Sequence, residues 1–177
     1  MKYIFKNFTV ITLSLLVLAL VSPLAQAHLM KAQHGTLNIF EDGIYMVLSL
    51  PASAFDDIDE NNDGKLSMME FNNQRSTIIE SITNKITLSN FENNISLEGI
   101  MLSPEVSHDS SDTSISQLVI LGKFSVHQPN QQLIYTNNLY GKNISEQMIT
   151  ITATRQSDGK RVVFELMSDD PSHGLSF

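Results

Sequence analysis

A run of seven to nine short apolar segments, separated by turn signals, predicts a mainly β fold: an antiparallel β-sandwich or barrel with one helix-loop-helix insertion. Three observations carry this. Several segments alternate apolar and polar residues, as in Thr36-Leu37-Asn38-Ile39-Phe40 and Met148–Arg155. Clusters of Asn, Asp, Gly and Pro punctuate them. Only one stretch, Phe71–Ile86, carries a helical-period stripe, so helix is confined to one place.

The chain opens on a segment that reads as an address. Lys2 and Lys6 make a basic start, Phe8–Leu24 is apolar, and Ala25-Gln26-Ala27 is the small-x-small pattern that signal peptidase reads. Thr9, Thr12, Ser14 and Ser22 interrupt the run, Pro23 sits near its end, and it is shorter than the ~20 apolar residues a spanning helix needs. Residues 1–27 are therefore expected to be a cleaved signal peptide, with His28 the first mature residue. The short basic start and its A-x-A end look bacterial, so the periplasm or the cell exterior is the expected destination. Residues 28–177 then suit one domain, and no second long apolar run suggests a membrane segment.

Gly35–Leu50 reads as a β-hairpin turning at Glu41-Asp42-Gly43 and ended by Pro51. Ser53 looks like a helix N-cap with Asp56 three residues on. A helix of barely more than one turn is expected over about Ala54–Ile58. After an acidic stretch, Phe71, Ile78, Ile79, Ile82 and Ile86 share one face of a second, longer helix. Strands are expected again over Lys85–Phe91 and Ile95–Leu102, parted by Asn93-Asn94. Ser103–Thr113 reads as a polar loop, Ile115–Val126 as one bent strand or two short ones around Gly122, and Gln132–Tyr140 as a strand after Pro129-Asn130. Met148–Arg155 and Arg161–Met167 form a last hairpin through Ser157-Asp158-Gly159-Lys160.

There are eleven basic residues against nineteen acidic ones, a formal charge of −8. Loss of Lys2 and Lys6 would leave nine basic residues and take the charge to −10. Such a chain repels nucleic acid and anionic lipid, so neither is an expected partner. With no cysteine, disulfides, thiolate metal sites and cysteine nucleophiles are excluded. The sequence carries no Gly-x-Ser-x-Gly elbow, phosphate-cradling glycine loop or His-Glu-x-x-His helix, so an enzyme is not expected.

The most informative stretch is Asp59-Glu60-Asn61-Asn62-Asp63-Gly64-Lys65-Leu66-Ser67-Met68-Met69-Glu70. Ca²⁺ is a hard cation that takes ~6–8 oxygen ligands, so a loop that binds it must aim oxygens inward from alternating positions. Asp59, Asn61 and Asp63 offer side-chain oxygens and Lys65 its backbone carbonyl. Ser67 is placed to hold a bridging water, and Glu70 to close the site with both carboxylate oxygens. Gly64 supplies the backbone freedom of the sharp turn. With Phe55 and Ile58 before the loop, Leu66 at its eighth position and Phe71 after it, residues 53–83 resemble the EF-hand family. The resemblance implies Ca²⁺ as the bound ion. The family usually pairs two loops; Asp109-Ser110-Ser111-Asp112-Thr113 is not a second one, because Ser114 and Ile120 fall at its sixth and twelfth positions. A lone loop must be braced by the sheet or by a partner, and weak binding at ~10⁻⁴–10⁻³ M is expected.

Histidines supply the alternative. His28 would offer an α-amino group and an imidazole to one metal, and His34 falls on the same face of an extended segment. Imidazole suits copper and zinc, so a periplasmic copper- or zinc-binding or delivery protein is the competing expectation. A mature N-terminal histidine is also the one residue shared with the copper-dependent polysaccharide monooxygenases, which would make the chain a small secreted metalloenzyme. His108, His127 and His173 are scattered. The leading expectation is a calcium-binding exported β-domain, its ion stabilising the fold or docking a periplasmic or extracellular protein.

Overall fold

The computed structural model describes residues 31–55, 58–90, 93–107, 112–126 and 132–177. The expected 1–27 signal peptide, His28, His108 and His127 lie outside the described residues. Nine strands run in the order β1 His34–Phe40, β2 Gly43–Pro51, β3 Ile86–Ser89, β4 Asn94–Val106, β5 Ile115–Phe124, β6 Leu133–Asn137, β7 Met148–Arg155, β8 Arg161–Met167 and β9 Ser172–Leu175. They form one sheet, ordered β8-β7-β1-β2-β5-β4-β3-β6-β9. The fold is mainly β, as the sequence predicts, and the sheet curls until its ends nearly meet. There the Phe164 ring of β8 stacks on the His173 ring of β9, with centroids 4.1 Å apart and planes 11° from parallel.

The ladder is antiparallel but for one pair: β1 runs parallel to β7, His34 opposite Thr150 through Ile39 opposite Arg155. The expectation of an all-antiparallel sheet is corrected at that seam. The seam joins the first strand to one more than a hundred residues later, where no turn sets the direction. In β7 the inward row is Ile149, Ile151 and Ala153, all buried, and it packs beside Leu37 and Ile39 of β1 whichever way the strand runs.

Elsewhere some strand limits follow from local chemistry and others from pairing. Phe40 pairs with Gly43, leaving Glu41-Asp42 as a two-residue turn. Pro51 ends β2 as the strand's last residue, opposite Gln117. β4 extends through Ser103–Val106, where a loop is expected, because β5 pairs with it from Ser103 to Glu105 and, after a register shift, at Val106 opposite Ile115. A bulge between Glu98 and Met101 resets the alternation, so Leu97 and Leu102 both face the core although five residues apart. β5 is continuous through Gly122: a side chain there would meet Leu97 at 2.7 Å, so the glycine admits close packing. β9, Ser-His-Gly-Leu, was not expected, since little in it favours a strand; it forms by pairing along β6.

One core cluster links the inward rows of the strands to Phe55, Ile58, Leu66, Phe71, Ile78 and Ile82 of the insertion. The insertion departs from expectation at both ends. The entering segment is a 3-10 turn, Ala52–Ala54, followed by extended Phe55, so the start of the expected Ala54–Ile58 helix is not α-helical, while its residues 56 and 57 lie outside the described residues. The Ser53 hydroxyl, expected as a helix cap, donates to Glu146 at 2.7 Å, and its expected partner Asp56 lies outside the described residues. The exiting helix is two: α1 Met68–Asn73 and α2 Arg75–Lys85, broken at Gln74. Gln74 turns there to donate to the Glu60 carboxylate at 2.8 Å. Ile78 and Ile82 remain fully buried against the sheet and Ile79 is half-buried, so the apolar stripe survives the break. Ile86 has already entered β3.

Candidate metal centre

Three apolar anchors hold the 59–70 loop. Ile58 before it, Leu66 within it and Phe71 after it are 3%, 4% and 2% exposed, while residues 60–65 stand in solvent. The chain between the anchors turns tightly through two left-handed residues, Asn62 at φ 58° and Gly64 at φ 78°. No atom lies within 4 Å of where a Gly64 side chain would begin. Glycine serves there for its backbone alone, since other residues resist that conformation.

Side chains at the first, third and fifth positions curl over the loop's own backbone. Asp59 accepts the Asp63 and Gly64 N–H groups at 3.2 and 2.8 Å. Asn61 accepts from Asp63 at 2.9 Å and Asp63 from Lys65 at 2.8 Å. Asn61 Nδ2 also donates to Asp63 at 3.1 Å. These are Asx-type contacts, the reason Asp and Asn populate such turns.

Glu70, at the twelfth position, joins the two ends of the loop. Its Oε2 accepts the Ser67 N–H and hydroxyl at 2.9 and 2.7 Å, and its Oε1 the Glu60 and Asn61 N–H groups at 3.1 and 3.4 Å. Ser67 returns the contact, accepting the Glu70 N–H at 3.2 Å. The pair is a capping box that starts α1. Glu70 is 3% exposed, yet its carboxyl is held below the ordinary glutamate value. The Ser67 hydroxyl is the main cause, then the Ser67 N–H, then those of Asn61 and Glu60, and together they outweigh burial, which pushes the other way.

Among the described residues, no three His, Asp or Glu side chains converge on a single point; Asp59, Asp63 and Glu70 use their oxygens as acceptors for the backbone. The donor set nonetheless suits a hard cation. Every side-chain group that the loop turns on itself (Asp59, Asn61, Asp63, Glu70) brings oxygen, and Lys65 is placed to add a carbonyl. Ser67, expected as a water-holding position, is engaged as the helix cap.

The loop is fastened to the sheet. Leu66 and Ile115, the first residue of β5, form an isolated antiparallel bridge in which the Ile115 N–H donates to the Leu66 carbonyl at 2.8 Å. Beside it the Lys65 ammonium pairs with Asp112 at 3.0 Å, and Asp112 also accepts the Ser114 N–H at 2.9 Å. Ser114 and then Lys65 hold the Asp112 carboxyl down to about 2. Sequence alone called for a brace but did not name one; Asp112 and Ile115 lie some fifty residues away and carry no motif that marks them.

The histidines do not gather among the described residues. His34 begins β1, half-buried on the outward row, with Nδ1 donating to the Ala32 carbonyl at 2.9 Å. His173 faces Phe164 at the sheet ends. No helix among the described residues is long and apolar enough to cross a membrane. The chain matches no protein-family model, and no curated protein matches it. The loop's assignment therefore rests on its own donor set and geometry.

Proposed function

We propose that residues 59–70 are a single EF-hand-type calcium site in an exported β-domain, with the ion stabilising the fold or presenting a surface to a periplasmic or extracellular protein. One observation carries this: an all-oxygen loop of the right length whose twelfth residue, Glu70, is a buried carboxylate reaching both ends of the loop. Asp59, Asn61, Asp63 and Glu70 would hold the ion, with the Lys65 carbonyl. A bound cation supplies positive charge where three carboxylates face one turn, and draws the loop's ends together. The chain's own residues do the rest. Gly64 and Asn62 set the turn, Ser67 starts α1, and Phe71 and Leu66 pin the loop to the core. Export is supported by the basic start, apolar run and Ala25-Gln26-Ala27 of residues 1–27.

Isothermal titration of the metal-free mature protein tests this. Binding heat is expected in the ~10⁻⁴–10⁻³ M range of extracellular modules, lost in Glu70→Gln and in Asp59→Ala. No heat up to ~10 mM, beyond that range, overturns the proposal.

A further inference from the structure

The fastening between Leu66 and Ile115 has a consequence for what the cation does. We propose that cation binding at 59–70 is transmitted through the bridge between Leu66 and Ile115 to the base of the β4–β5 hairpin. This rests on the calcium reading above and adds a direction of response to it.

Two contacts make the connection, and both belong to neighbouring loop residues. The Leu66 carbonyl takes the Ile115 N–H, and the Lys65 ammonium takes Asp112. Lys65 is also the residue whose carbonyl the loop offers to the ion. A cation that holds the Lys65 carbonyl restricts the backbone immediately before Leu66, whose side chain is already clamped in the core at 4% exposure. Restricting the loop on that side steadies the carbonyl that Ile115 donates to. Across from Leu66, Ile115 is 3% exposed and pairs with Val106 of β4. The Ser107 N–H donates to the Ser114 carbonyl at 2.9 Å. Asp112 caps Ser114 from the same side. The base of the hairpin is thus tied to the loop at Ile115 and at Asp112.

The exiting helix offers no comparable path. Gln74 interrupts it, and Ile78 and Ile82 are fully buried against the sheet, so swinging α2 away would expose core. The bridge to β5 is the softer response. Because coupling between two sites is reciprocal, a bridge that calcium strengthens must in turn strengthen calcium binding by the same factor.

Amide hydrogen exchange of the full mature protein, with and without saturating Ca²⁺, tests this. Protection of the Ile115 amide is expected to rise about tenfold more than that of Thr152 in β7, which reports stabilisation of the whole sheet. Equal rises at the two amides, or none at Ile115 while calorimetry still shows binding, overturn the coupling and leave the calcium site standing. Absence of binding heat removes both. Ile115→Pro deletes the bridging N–H at the first position of a strand, where proline is tolerated. If it folds, it should bind Ca²⁺ several-fold more weakly, and unchanged affinity there also overturns the coupling.

Discussion

Calcium should raise the melting temperature of the metal-free mature protein by an amount that the loop's hydrogen bonds keep modest. Glu70 already accepts four hydrogen bonds and Asp59 two. A cation must take those oxygens in exchange for some of these contacts, and the exchange weakens net affinity. The proposed site is accordingly expected in the ~10⁻⁴–10⁻³ M range of extracellular modules. At ~10 mM the ion is then about ten- to a hundredfold above Kd, which stabilises the native state by about 1.4–2.7 kcal/mol. A domain of this size gains roughly 2–4 °C per kcal/mol, so the expected rise is about 3–10 °C. Circular dichroism melts from a chelated baseline measure it. Mg²⁺, which demands a tighter octahedral shell and sheds water reluctantly, should give a smaller rise at equal concentration. Glu70→Gln should show almost no rise with either ion. An undiminished response in that variant would refute the reasoning, since the ion would then be acting elsewhere.

Ser67→Ala removes the hydroxyl that caps α1 and donates to Glu70, and should cost about 1 kcal/mol in urea unfolding. Asp112 and Glu70 both have carboxyls depressed in the folded state, so the stability they contribute is complete above the unfolded carboxylate range near pH ~4. It is lost as pH falls toward the folded values, about 2 for Asp112. Asp112→Asn should therefore be less stable than the native protein at pH 6, with the difference shrinking below pH ~4 and vanishing only below the folded value of about 2 in matched urea titrations. Intact mass of the exported protein should correspond to a chain beginning at His28; a full-length, membrane-retained product would restore the anchor alternative. If His28 chelates copper through its amine and ring, one residue added ahead of it, or His28→Ala, should sharply reduce copper affinity, and equal affinity in all three proteins would dismiss that site.

The residues whose structure depends on near neighbours were legible. A two-residue turn follows from Glu41-Asp42 before Gly43. The inward row of β7 follows from the alternation of Ile149, Ile151 and Ala153, and the apolar stripe of the insertion from Ile78 and Ile82. The tight turn of residues 59–70 was legible for the same reason: its Asp and Asn acceptors and its glycine lie within twelve residues, and side chains that bond their own backbone need no distant partner; Ser67 as the cap of α1 was not legible. The rest depended on contacts made across the chain. That β1 runs parallel to β7, that Ser-His-Gly-Leu becomes a strand beside β6, and that the helix breaks where Gln74 reaches Glu60 are outcomes of pairing and packing at a distance. Periodicity says which residues face inward and is silent on which neighbour they meet. The donor positions of the loop were therefore decided by the sequence itself. Its attachment to β5 through Leu66 and Ile115 was decided only when the folded sheet brought that N–H to that carbonyl.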